Sequence, residues 1–354
     1  MGKHVVSPNY VVLASFPIVI TLMAVTSIFN YLIFQRSPFQ YTDSVSSISP
    51  WRWLFAVLST AFICRYGYKK RSLSLPGCIT AFFVGFILSL SSFTFFGALL
   101  AMYLSTSKAT RFRQHLKKTM DPHFKQGGQR GVVQVLCNGI VPAELAFLYL
   151  IDHGAEMESP LDFANNYYGS FWACAVLGAL SCVAGDTLAS ELAPVSTDTQ
   201  PRLITTWKRV PKGTNGGVTI FGFFCSILGG AVVGFGSWLC TLLTVPSGML
   251  QRSPSQLYLI VICAIYGLIG SLIDSFLGAT LQFSGVDTAT GAIVETPRVP
   301  ESSPNKNMMN HEERQILRIS GYPLLNNHSV NLLSTFLTAF LAPKMAFFMY
   351  YYIS

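Results

Sequence analysis

Charge is what this sequence has least of. Asp, Glu, Lys and Arg make up 11% of the 354 residues, against roughly a quarter in soluble domains, and the deficit excludes an ordinary soluble protein. Paired cysteines are missing as well. Cys64, Cys78, Cys137, Cys174, Cys182, Cys225, Cys240 and Cys263 all fall inside apolar stretches and none forms a CxxC, so neither a disulfide framework nor a zinc site is indicated. No GxxxxGK[ST] order occurs, which excludes a Walker A loop. Nor is there an internal repeat of the kind that marks inverted-repeat transporters.

Apolar residues take the place of charge, at 51% of the chain. Nine runs are long enough to be read as spans, at about 20 residues each: 10–34, 51–66, 76–90, 93–105, 131–151, 168–192, 217–245, 257–282 and 330–352. The first is too long for a signal-peptide core and lacks a small-residue cleavage site, so it reads as a retained span. The third and fourth are short and fit either two half-length helices or one bent helix, which sets the count at eight to ten. The fold class is therefore all-α, a polytopic transmembrane bundle filling residues 1–354 as one membrane domain.

The net charge of +8 is arranged as membrane orientation demands, and nucleic acid is not an expected partner. Lys69, Lys70 and Arg71 follow the second run. A second basic loop, 107–130, carries Lys108, Arg111, Arg113, Lys117, Lys118, Lys125 and Arg130, and a third, 193–216, carries Arg202, Lys208, Arg209 and Lys212. Nine spans place all three on the cytoplasmic side with the N-terminus. The loop with Asp152, Glu156, Glu158 and Asp162 falls opposite. The polar stretch 283–329, rich in proline and without a period, is expected to be a long cytoplasmic loop. The sequon at Asn327 falls there too, where it could not be glycosylated.

Ionisable groups inside spans cost about 2.5 to 3.5 kcal/mol each for an Asp near the bilayer centre, so they need a reason. Glu144 lies in the fifth run, Asp186 and Glu191 in the sixth, and Asp274 in the eighth. Asp186, Glu191 and Asp274 all fall towards the basic side. Arg130, Gln134 and Asn138 follow at i, i+4 and i+8, as do Asp274, Gly278 and Gln282, each set forming one stripe of a helix. Asp186 and Ser190 share a face. Glu191 stands about 140° from Asp186 on an ideal helix, so both reach one ion only if the helix unwinds near Gly185 or at its end.

After the sixth run the chain reads KRVPKGTNGGVTIFG from Lys208 to Gly222. Arg209 and Lys212 supply charge, glycines permit close backbone approach, and the helix that follows offers free N–H groups, which are the parts of a phosphate cradle. Each of these features has a structural alternative. Basic loops satisfy topology alone, buried Asn and Gln hold helices together, Gly230 and Gly234 form a GxxxG packing motif, and Glu144 follows Pro142 in the outer half.

The segments GGQRGVVQVLCNG (127–139), GDTLASELA (185–193), VPKGTNGGVT (210–219), GSLIDSFLGATLQ (270–282) and NNHSVNLLS (326–334) resemble the integral-membrane family that contains transmembrane protein 19 and the plant phytyl-phosphate kinase. More distantly, Asp186 to Ala193 and the KGTNG at Lys212 resemble elements of the CTP-dependent polyprenol kinases related to dolichol kinase. Ala193 replaces a glycine of that pattern and Asn215 a glutamate, which leaves the nucleotide open between CTP and ATP. The resemblance implies transfer of a phosphoryl group from a nucleoside triphosphate to an isoprenoid or long-chain alkyl monophosphate, at the cytoplasmic ends of spans five to nine. Asp186, Glu191 and Asp274 are then the metal candidates for Mg²⁺, with Asp186 and Asp274 catalytic. Phosphate binding falls to Lys108, Arg111, Arg130, Gln134, Asn138, Ser190, Arg209, Lys212, Gly213, Thr214, Asn215, Gly216, Gln282 and Asn331. A phosphate acceptor needs little general-base help, consistent with the absence of His from spans five to eight. The alternatives are a transporter or scramblase of anionic lipids, and a relative that kept the fold and lost the reaction. No transit peptide is evident, so an endomembrane such as the endoplasmic reticulum is the expected location. Oligomeric state is not legible.

Overall fold

The computed structural model describes residues 48–114, 128–154, 157–195, 200–288, 290–297 and 315–353. The first apolar run, 10–34, and Lys117, Lys118 and Lys125 lie outside them. Eight long helices are described: α1 (Pro50–Lys69), α2 (Leu75–Ser91), α3 (Phe93–Arg111), α4 (Val132–His153), α5 (Tyr167–Leu192), α6 (Ile220–Thr244), α8 (Tyr258–Leu281) and α9 (Asn327–Ile353), with a single short helix α7 (Ser247–Arg252) between α6 and α8. Five of them, α4, α5, α6, α8 and α9, are long and apolar enough to cross a membrane unaided. The chain is nearly all helical and integral to the membrane.

Local chemistry sets the boundaries. Ser74, Asn166 and Thr219 cap α2, α5 and α6 by accepting the N–H of the residue three positions on. Because Thr219 makes that cap, α6 starts at Ile220 rather than Gly217, and Gly217–Val218 pairs instead as β2 with β1 (Arg202–Leu203). The two short runs are separate helices of 17 and 19 residues. Ser92, extended at φ −157° and ψ 141°, is the only residue between them, and its hydroxyl accepts from Thr94 N. The fourth run therefore continues as helix past Ser105 to Arg111.

α5 is the axis of the bundle, the most buried of the five apolar helices, and packs against α3, α4, α6, α8 and α9. Small residues allow this. A Cβ on Gly185 would lie 2.5 Å from the Gly267 carbonyl, and one on Gly234 2.5 Å from that of Leu259, so α8 meets α5 and α6 backbone to backbone. The GxxxG motif is thus spent inside the bundle.

The stretch expected as a polar loop holds a three-stranded antiparallel sheet instead, β3 (Ser284–Asp287) between β4 (Ile293–Val294) and β5 (Ile316–Ser320). Its strands are two to five residues long and β5 lies far along the chain from β3, so no period of two could be read from the sequence.

At the acidic end, Glu158 is buried and accepts from Arg52 Nη2 at 2.6 Å, Ser92 Oγ at 2.7 Å and Phe93 N at 2.9 Å. Arg52 also donates to Leu90 O at 2.7 Å. Asp162 organises the turn into α5 by accepting from Ala164 N, both nitrogens of Asn165, and the Tyr350 hydroxyl of α9. Burial pushes the Asp162 carboxyl up, and these donors outweigh it, leaving its pKa below the ordinary 3.8. A carboxyl depressed on folding stabilises the native state fully above its unfolded pKa and loses that contribution as pH falls through the lower, folded value. Asp162→Asn is therefore expected to lower thermal stability at pH 7 by about 1–2 kcal/mol, with the gap to wild type closing in acid unfolding below about pH 4. An equal gap at pH 3 and pH 7 would refute the assignment.

Candidate functional site

The opposite end of the bundle gathers the basic loops. Arg130 N donates to Ser72 O and Ser74 N to Arg130 O, both at 3.0 Å. Arg111 donates to Lys70 O at 2.9 Å, and Arg113 to Val195 O at 2.8 Å. Arg130 is thus held as a bridge residue beside Leu73, and α4 begins only at Val132 with Gly131 as its cap. The expected stripe from Arg130 through Gln134 to Asn138 is corrected to this extent: its first member precedes the helix. All three side chains nevertheless line the same cavity. Of the Arg130 guanidinium donors, Nη1 has Ser107 Oγ at 3.4 Å, and Glu191 lies near enough to attract the charge.

Deeper in the bundle, Asp186 of α5 and Asp274 of α8 adjoin each other closely enough for their charges to interact. Ser334 Oγ of α9 donates to Asp274 Oδ2 at 2.8 Å. Asp186 makes no hydrogen bond or ion pair among the described residues. α5 stays helical through Gly185 to Leu192, so Glu191 remains on another face, towards Arg130. The three expected metal ligands do not converge: among the described residues no group of three His, Cys, Asp or Glu side chains could hold an ion. Two neighbouring carboxylates without a basic partner among the described residues do fit a cation that draws its other ligands from phosphate oxygens and water, as Mg²⁺ does.

Asn331 and Asn138 meet across α9 and α4, with Nδ2 to Oδ1 at 3.5 Å. Gln282, the cap residue ending α8, is 3% exposed, and its Nε2 has no partner among the described residues. The glycine-rich loop folds onto the end of α8. Gly216 has φ +75°, and a Cβ there would fall 2.4 Å from the Ala279 Cβ. Gly213 also has positive φ, at +90°. Thr214 Oγ1 donates to Pro211 O at 2.8 Å, Asn215 Nδ2 to Phe283 O at 3.3 Å, and Lys212 Nζ to Pro194 O at 3.4 Å. Thr214 and Asn215 are thereby engaged in shaping the loop. Lys108, Ser190 and Arg209 are exposed, and the Ser190 hydroxyl donates back to Thr187 O.

Sequence reasoning missed Ser334. Its signal was the i, i+3 spacing from Asn331 on an otherwise apolar helix, which puts both on one face. Also missed was a cavity enclosed by α1 to α5, with a volume of about 110 Å³.

No solved structure matches this chain. A protein from Arabidopsis thaliana, Protein PGR, is 37% identical over 290 residues, covering 82% of this chain and 94% of the relative. An uncharacterized membrane protein from Methanocaldococcus jannaschii, MJ0933, is 30% identical over 225 residues, or 62% of this chain and 78% of its own. The model of the integral membrane protein DUF92 family matches residues 58–339, from within α1 to within α9. This chain belongs to the DUF92 family of integral membrane proteins.

Proposed function

We propose that the protein is a membrane kinase that moves a phosphoryl group from CTP or ATP to an isoprenoid or long-chain alkyl monophosphate at the cytoplasmic end of α4, α5, α6, α8 and α9. One observation carries the reading. Asp186 and Asp274 lie near enough for their charges to interact, with no basic partner among the described residues. Phosphoryl transfer asks little covalent chemistry of a protein; it asks for placed cations and donors around a travelling group. Asp186 and Asp274 would hold Mg²⁺, which when bound neutralises charge on phosphate oxygens. Ser334 fixes the Asp274 carboxylate by its hydrogen bond. Arg130 takes the acceptor phosphate as a fork of N–H donors, with Gln134, Asn138 and Asn331 orienting its oxygens. Arg209, Lys212 and the backbone from Gly213 to Gly217 receive the nucleotide phosphates.

The placement on one side supports an enzyme over a lipid path, since a path needs polar groups through the full depth of the membrane. The test is phosphoryl transfer from labelled CTP or ATP with Mg²⁺ to phytyl, farnesyl, geranylgeranyl and dolichyl monophosphates, using purified protein in lipid nanodiscs. A diphosphate is expected from at least one acceptor. Folded protein that yields none from any acceptor overturns the reading.

A further inference from the structure

The cavity between α1 and α5 has a polar end and an apolar body. At the basic end it is lined by Arg130, Gln134, Asn138, Thr106 and Thr187; beyond these the walls are mostly apolar, down to Phe96, Pro142 and Leu180, with the hydroxyl residues Thr60, Ser89 and Tyr103 among them. From Thr106 to Phe96 along α3 the lining covers ten residues, roughly 15 Å at the helical rise. Its volume, about 110 Å³, is below the roughly 300–1,000 Å³ of sites that enclose a small organic ligand, so a single slender chain is the most it admits.

The walls are not equally closed. α1 packs on α2, α2 on α4, α4 on α5 and α5 on α3. α1 and α3 come together mainly near their two ends. At one, the Phe55 ring contacts Phe93 and Phe96 at 4.9 and 5.0 Å. At the other, a Cβ on Gly67 would lie 2.7 Å from the Tyr103 hydroxyl, which itself bonds Ser72 Oγ at 2.8 Å. Between those contacts, Ile63 of α1 and Leu99 and Leu100 of α3 line the cavity. The Arg130 guanidinium at the basic end has one long hydrogen bond, at 3.4 Å, to Ser107, and the Glu191 carboxylate near it; with five N–H donors it keeps some for a second anion.

From this geometry we infer that the cavity holds the hydrocarbon tail of a single-chain lipid monophosphate inside the protein, with the phosphate on Arg130 and the chain entering from the bilayer between α1 and α3. The inference rests on the proposed function for the identity of the headgroup and goes beyond it in placing the tail and its length limit. Phe96, at the far end and held by Phe55, closes the site and sets the longest chain that fits. Tail burial in a preformed apolar slot stabilises the complex by about 0.8 kcal/mol per methylene, so affinity rises with chain length until Phe96 is reached and then stops rising.

The experiment measures equilibrium binding of geranyl, farnesyl and geranylgeranyl monophosphates, and of the matching alcohols, to the full chain in nanodiscs without nucleotide or Mg²⁺. Leu99→Phe and Ala81→Phe, which fill the slot, are expected to weaken geranylgeranyl monophosphate at least about tenfold while changing geranyl monophosphate much less. Phe96→Ala is expected to extend the rise in affinity to a longer chain, a gain that misfolding cannot mimic. Arg130→Gln should reduce the preference for monophosphate over alcohol. Phosphatidic acid, with two chains, should compete poorly.

Chain-length dependence that neither the slot-filling variants nor Phe96→Ala alters would overturn the inference and leave the tail in the lipid, without bearing on phosphoryl transfer. Phosphatidic acid competing as well as farnesyl monophosphate would overturn the single-chain assignment. Chain-selective binding with no diphosphate formed in the kinase assay would sink the enzymatic reading alone.

Discussion

Phosphoryl transfer by Asp186→Asn or by Asp274→Asn is expected to fall at least about 100-fold, some 3 kcal/mol of barrier at about 1.4 kcal/mol per decade. The two carboxylates lie near enough for their charges to interact, and neither has a cationic side chain beside it among the described residues. Like charges in such a place repel unless a cation lies between them. The expected signature is more specific than loss of activity. Each variant should need a higher Mg²⁺ concentration for half-maximal rate, and thermal unfolding without Mg²⁺ should be unchanged or shifted upward, because one of two interacting like charges has gone. A structural role for the pair would give the reverse, namely lower stability with the Mg²⁺ dependence of the residual rate unaltered. Wild-type turnover in both variants would remove the carboxylate pair from the mechanism.

A second large effect is expected at the far end of the molecule, where no chemistry is proposed. Glu158 and Arg52 are 5% and 6% exposed at the side chain and meet at 2.6 Å. Removing one partner of a buried pair leaves an uncompensated charge, which costs about 3–5 kcal/mol, whereas removing both together costs much less. Arg52→Met should therefore lower stability by about that amount, measured as a loss of melting temperature in detergent. The double variant Arg52→Met with Glu158→Gln should recover much of the loss, since Gln keeps an acceptor for Ser92 Oγ and Phe93 N. Additive losses would show that the two residues act independently. Activity per folded molecule should be unchanged in the double variant, because the pair lies at the end opposite to Asp186.

Much of this architecture was legible because the bilayer imposes it. A helix that must satisfy its own backbone in an apolar medium writes its length directly into the chain as an apolar run. The runs ending at Leu192, Gln282 and Tyr352 correspond to α5, α8 and α9 within a few residues. The costly acids stood out by the same logic, since Asp186 and Asp274 are conspicuous among apolar neighbours. Other features were hidden because they depend on residues distant in sequence. β3 pairs with β5 some thirty residues on, Arg130 is held by the Ser72 and Ser74 backbone, and Ser334 reaches Asp274 across sixty residues.

By itself, then, the sequence determined a membrane bundle, its approximate spans, and a short set of buried polar groups whose burial needs a reason. Tertiary structure alone decided which of them meet. It brought Asp186 near Asp274 and left Glu191 on another face near Arg130, because α5 stays helical through Gly185 and consecutive residues of a helix cannot be redirected without breaking its hydrogen bonds. It also opened a cavity beside Arg130 that no local pattern announces, since a void belongs to the fit among five helices and not to the periodicity of any one of them.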